Sequence, residues 1–167
     1  MKTHLCLVSE QPLPNFLPIA DFKTRPKKVV LAVSEEMQKK ADWLRKVLEK
    51  CVSTVETISI ADPWDIPSLQ ATFRKCVNDY KDDELILNAT GGTKLMAIAA
   101  ADVFREMGKS VFYCEKGKIF WLDGKPTETL TEEIYQKDFF ANFLTIHGYD
   151  IKKNQQRIPD EWTYFGD

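Results

Sequence analysis

The sequence predicts an α/β protein: a mostly parallel sheet with helices on both faces and a β-hairpin toward the C-terminal end. Three observations carry this. Short apolar, β-prone runs recur at residues 3–8, 27–33, 55–60, 84–87 and 110–115. Stretches of helical period separate most of them, and strands alternating with helices build a parallel sheet. The last run is followed instead by Lys116-Gly117, a tight hairpin turn, and a further run at 119–122.

Each element has a local reason. Residues 3–8 form a strand that Pro12 and Pro14 break. Asn15 is placed to cap a short helix running to residue 22. Val29, Val30 and Val33 make 27–33 the second strand. Ser34 is expected to cap a helix, because Glu35 and Glu36 follow and Met37, Ala41, Leu44, Val47 and Leu48 share one helical face. After the third strand, Asp62-Pro63-Trp64-Asp65 is a turn. Pro67 suits the first turn of a helix whose apolar face is Leu69, Phe73, Cys76, Val77 and Tyr80. The Ala-rich stretch 95–107 is helical and Gly108 ends it. Asp123-Gly124-Lys125-Pro126 is another turn, and a last helix is expected over 136–147, stopped by Gly148. Residues 1–151 read as one ligand-binding domain and 152–167 as a polar tail.

Composition narrows the class. The chain has 167 residues, 44% of them hydrophobic, enough for one domain with a real core. A net charge of −2 and a pI near 5.8 argue against long duplex DNA or RNA as partner. Cys6, Cys51, Cys76 and Cys114 show neither C-x-x-C nor zinc spacing, and His4 and His147 are the only histidines, so no metal site is expected. No signal peptide or membrane span is legible, which points to a reducing cytoplasmic compartment.

The most informative segment is Asn88-Ala89-Thr90-Gly91-Gly92-Thr93-Lys94-Leu95-Met96. It reads as strand, glycine turn, helix. The glycines permit positive φ and close approach to the backbone. A helix starting near Thr93 aims free N–H groups and partial positive charge at the same space, and Lys94 adds a full charge. Such a site favours phosphate. It is not a P-loop: Leu87 stands where that loop needs its first glycine, and Lys94 is followed by Leu95 rather than a hydroxyl residue. The loops at 9–15 and at Ser34 also follow strand ends, so all three are placed to converge on one ligand.

Two segments together resemble the CARF domain, the CRISPR-associated Rossmann fold of type III CRISPR accessory proteins. One is Leu7-Val8-Ser9-Glu10-Gln11-Pro12-Leu13-Pro14-Asn15 followed by Val29-Val30-Leu31-Ala32-Val33-Ser34; the other is the Asn88–Met96 motif. The resemblance implies a Rossmann-like sheet and a homodimer that binds cyclic oligoadenylate, most often cyclic tetra-adenylate, across its two-fold axis. It implies ligand contacts from Ser9, Gln11, Asn15, Ser34, Thr90, Gly91, Gly92, Thr93 and Lys94, with no cofactor. The nearest subgroup carries a restriction-like nuclease domain after the CARF domain. Here Pro159-Asp160-Glu161 has no downstream Glu-x-Lys and is read as tail, leaving either a stand-alone domain or the sensory piece of a longer effector.

Three functions are consistent with these residues. The first is a sensor that binds the cyclic messenger. The second is a metal-independent ring nuclease, in which Ser9 positions a ribose 2′-OH and Lys94 stabilises the charge that develops as a 2′,3′-cyclic phosphate forms. The third is a nucleotide-binding domain unrelated to CRISPR. Trp64 and Asp65 either line an adenine pocket or pack the turn they occupy. Trp43, at helical spacing from Lys39 and Lys46, reads as a core-edge residue.

Overall fold

The computed structural model describes residues 1–131, 134 and 138–150. Seven strands form one sheet in the order β3-β2-β1-β4-β5-β6-β7. They are β1 (Lys2–Leu7), β2 (Lys28–Ser34), β3 (Thr54–Ile60), β4 (Glu84–Asn88), β5 (Ser110–Glu115), β6 (Lys118–Trp121) and β7 (Glu128–Thr129). The first five are mutually parallel, with Leu5 opposite both Val30 and Leu87. β6 and β7 run antiparallel. This is the Rossmann-like sheet expected, closed by the hairpin; two-residue β7 is too short to show as a sequence pattern.

Helices cover both faces. α1 (Leu13–Ala20), α2 (Gln38–Leu48) and α5 (Phe139–Ile146) lie on one side, and α3 (Ile66–Asp79) and α4 (Lys94–Glu106) on the other. The two-residue strand period sorts β1 between them. Cys6 and Val8 enter the core with Phe16, Leu44 and Ile146, whereas Leu5 and Leu7 enter the core with Phe73, Ala99 and Phe104. Phe16, Phe73, Phe104 and Phe112 are fully buried, each contributing roughly 1.5–3 kcal/mol of transfer free energy. β3 is the sheet edge and alternates buried with open positions. Arg45 covers that edge, its guanidinium donating to the Val55 carbonyl at 2.8 Å and to Thr57 Oγ1.

Two helix starts differ from expectation. Asn15 is not a cap: α1 begins at Leu13, with Pro12 at its N-cap, because the Asn15 amide is committed elsewhere. Ser34 makes no capping hydrogen bond either, and one 3-10 turn, Glu35–Met37, intervenes before α2. The last helix runs over Phe139–Ile146, and Gly148 follows it at φ +85°. Residue 136, where it was expected to start, lies outside the described residues. So do residues 152–167, including Pro159-Asp160-Glu161.

Candidate functional site

The strand order reverses between β1 and β4. β2 and β3 extend the sheet to one side of β1; β4 and β5 extend it to the other. Loops leaving the carboxyl ends of strands on either side of such a point diverge and leave a crevice. A pocket of about 260 Å³ lies there. Val8, Ser9 and Glu10 line it after β1, Ser34, Glu36 and Met37 after β2, Pro63 and Trp64 after β3, and Gly92, Thr93 and Met96 after β4.

The glycine turn is built from both neighbouring strands. A Cβ on Gly91 would lie 1.9 Å from the Leu7 carbonyl oxygen, so Gly91 is required by close approach of two backbones. Gly92 has φ +74°, the left-handed region that favours glycine. Thr93 then caps α4, its Oγ1 accepting from the Met96 N–H at 3.1 Å. The same hydroxyl donates to the Pro63 carbonyl at 2.9 Å and so ties the turn to the loop after β3.

A buried amide network holds the loops in place. Asn15 Nδ2 donates to the Leu7 carbonyl at 2.8 Å, and Asn15 Oδ1 accepts from Asn88 Nδ2 at 3.1 Å. Asn88 Nδ2 also donates to the Pro14 carbonyl at 2.9 Å. Asn88 Oδ1 accepts from the N–H of Thr90 at 3.1 Å and from its hydroxyl at 2.6 Å. Thr90 Oγ1 in turn accepts from the Cys114 N–H at 2.7 Å. Satisfied buried hydrogen bonds of this kind contribute about 1 kcal/mol each. Asn15 and Thr90 therefore act here as scaffold, with their polar atoms occupied inside the protein. The sequence reading missed Asn88 as the hub. An asparagine ending a β-prone run, where such residues are uncommon, was the available signal.

The nine expected contact residues thus separate. Ser9, Ser34, Gly92 and Thr93 line the pocket together. Asn15 and Gly91 are buried behind it, and half-buried Thr90 joins their network. Lys94 is exposed on the first turn of α4, which contains no acidic residue. Gln11 faces a second cleft of about 540 Å³ on the far side of the same loop, bounded by Glu115, Lys116, Phe143 and His147. Ser9 Oγ donates to the Gln11 carbonyl at 3.3 Å, and Glu10 pairs with Lys40 of α2 at 2.8 Å. Ser34 is only 7% exposed and its hydroxyl has no hydrogen-bond partner within the described chain.

Free N–H groups at the α4 N-terminus, Lys94 and the unpartnered Ser34 hydroxyl offer donors to an anion or sugar. Burial pushes the thiols of Cys6 and Cys114 up to about 12, so neither is a thiolate near neutral pH. Among the described residues no group of His, Cys, Asp or Glu is placed to hold a metal ion, and no helix is long and apolar enough to cross a membrane.

A Rossmann-like sheet with a phosphate-seeking helix N-terminus at its switch point defines a class of nucleotide-binding domain. Within that class, the family model of the Card1 CARF domain matches residues 3–149, and the chain belongs to this family. No curated protein matches it. Among solved structures, Can2 from Sulfobacillus thermosulfidooxidans, in complex with cyclic tetra-adenylate, is 26% identical with a TM-score of 0.71, covering 79% of this chain and 38% of that one. Protein VC1899 from Vibrio cholerae is 19% identical with a TM-score of 0.76, covering 86% of this chain and 38% of that one. A type III CRISPR defence DNA nuclease activated by cyclic oligoadenylate is 23% identical with a TM-score of 0.72, covering 88% of this chain and 23% of that one. The last two show the fold alone. The chain spans well under half the length of each.

Proposed function

We propose that this chain is a sensor domain of type III CRISPR antiviral signalling that binds cyclic oligoadenylate, with cyclic tetra-adenylate as first choice, across a homodimer. The carrying observation is the turn 88–93, which opens onto the switch-point pocket beside the free N-terminus of α4. Family membership and the cyclic tetra-adenylate complex of Can2 support the same reading. Lys94 and the α4 amides bind phosphate, and Ser9, Ser34 and Thr93 face the ribose and base. A ring with internal two-fold symmetry matches two copies of one loop set, so each protomer takes half of it. An effector domain, fused or associated, reads out the bound state, and the domain acts in the cytoplasm.

Incubation with cyclic tetra-adenylate in EDTA tests this. The expected result is saturable binding with the ring recovered intact. Linear products ending in a 2′,3′-cyclic phosphate would convert the sensor into a ring nuclease. Absence of binding to any cyclic oligoadenylate would leave a nucleotide-binding domain outside this signalling system.

A further inference from the structure

The cleft of about 540 Å³ that Gln11 faces lies outside the switch-point pocket and is the larger of the two. Its walls are apolar. Pro12, Leu13 and Leu17 come from the first loop and α1, Cys114 from β5 and Phe143 from α5. Phe143 belongs to an aromatic column along α5, its ring centre 6.2 Å from that of Phe139 and 4.3 Å from that of His147. The charged lining groups, Glu10, Glu115 and Lys116, are exposed at the rim. A hollow that is apolar inside and charged at its edge suits aromatic anchors. Two of its walls are also bonded to the glycine turn. Asn88 Nδ2 donates to the Pro14 carbonyl at 2.9 Å, next to Leu13, and Thr90 Oγ1 accepts from the Cys114 N–H at 2.7 Å. Glu10 lines both hollows. A shift of the turn 88–93 is therefore passed to the cleft through direct bonds.

The chain itself supplies an occupant. His147 lines the cleft, and Asp150, the last described residue, follows three positions later. Beyond it, residues 152–157 are polar or charged throughout, whereas Trp162, Tyr164 and Phe165 crowd into four positions. Twelve positions separate Asp150 from Trp162, a reach of up to about 40 Å when extended. The aromatic group can therefore return to the cleft. Lys152, Lys153 and Arg157, in the stretch between, are opposite in charge to Glu115 at the rim, which forms no ion pair among the described residues. We propose that the cleft is the docking site of the chain's own C-terminal segment, with the aromatic residues of 162–165 seated in it, and that the occupancy of the turn 88–93 is read out there. The readout rests on the proposed sensor function; the docking does not.

The test compares amide ¹H–¹⁵N spectra of the full chain with those of the same chain carrying Trp162→Ala, Tyr164→Ala and Phe165→Ala together, each with and without cyclic tetra-adenylate. Without the ring, the triple variant should shift the amides of Leu13, Leu17, Cys114 and Phe143 and leave those of β3 and α3 in place. A peptide of residues 152–167 added to the variant should restore the wild-type positions saturably. The two chains should differ in affinity for the ring by about fivefold or more. By reciprocity, a ring that binds the variant more tightly must weaken the peptide, and a ring that binds it less tightly must strengthen the peptide. Cleft amides unmoved in the variant overturn the docking. So do shifts that disappear on dilution together with a fall from dimer to monomer mass, which would put a second copy of the chain in the cleft. Equal ring affinities overturn the readout. If wild type binds no cyclic oligoadenylate, the sensor reading and the readout fall, and the ring-free spectra still decide the docking.

Discussion

Gly91 and Gly92 stand side by side and are glycine for different reasons. Gly91 abuts the Leu7 carbonyl, where a Cβ would sit at 1.9 Å. Gly92 needs φ +74°. Lys94, two residues on, is exposed. The two ends of the motif are therefore separable by mutation. Gly91→Ala should cost several kcal/mol and lower the melting temperature sharply, since the obstruction is backbone. Lys94→Ala should melt like wild type but bind cyclic tetra-adenylate at least tenfold more weakly, about 1.4 kcal/mol. Calorimetry and thermal melts on both variants check this; a Lys94→Ala protein with wild-type affinity would remove Lys94 from the site. His4 gives a pH-dependent counterpart. It is buried on β1 against the edge of Phe112, both ring nitrogens lack partners, and desolvation, with a smaller repulsion from Lys2, lowers its pKa from 6.5 to about 3. The unfolded chain therefore takes up a proton near pH 6.5 that the folded chain refuses. Stability should fall steadily below that pH, stay level just above it, and fall again above about 9, where the thiols of Cys6 and Cys114 ionise in the unfolded chain but not in the folded one. Carboxylates held low in the fold, Asp83 by Thr3 and Glu56 by Tyr80, add their loss only near and below their ordinary values of 3.8 and 4.5. Urea unfolding of His4→Phe should lose the slope between pH 6.5 and 5; a slope unchanged from wild type would contradict a neutral buried imidazole.

At the scale of elements, the strands were the most legible part. Three of the five parallel strands, β1, β2 and β4, are buried almost continuously, whereas the edge strand β3 and the strand β5 mix buried with exposed positions. Helix faces were equally legible, with Leu69, Phe73, Cys76 and Val77 all buried as expected. Helix starts were not. Asn15 has the right chemistry for a cap, but its amide bridges Leu7 and Asn88, partners brought near only by the folded sheet. The pocket was half legible for the same reason. Ser9, Ser34, Gly92 and Thr93 follow strand ends and could be named, whereas Glu36 and Met96 read as ordinary helix residues until the loops converge. Gly148 illustrates a tertiary constraint hidden behind a local one. It was read as a helix stop, yet a Cβ there would also lie 2.4 Å from the Trp43 ring on α2. Gly148→Ala should therefore loosen α5 from α2. A cost of about 2 kcal/mol would lower the melting temperature by about 4–8 °C. Amide exchange should speed up in α5 and leave α4 unaffected. An unchanged melt would mean that Trp43 moves aside freely.

For the whole molecule, the net charge of −2 and the proposed anion site are compatible because few phosphates need donors. The symmetry argument is more demanding. A ring of four identical nucleotides on a two-fold axis requires two copies of the turn 88–93, so binding and dimerisation should be inseparable. Titration of cyclic tetra-adenylate into the protein by calorimetry, with light scattering on the same sample, tests this directly. The expected result is one ring per two chains, a dimer mass, and a stability gain of about 2.7 kcal/mol at a ligand concentration 100 times Kd. A monomer with no heat of binding, or one ring taken up by each chain, would contradict it.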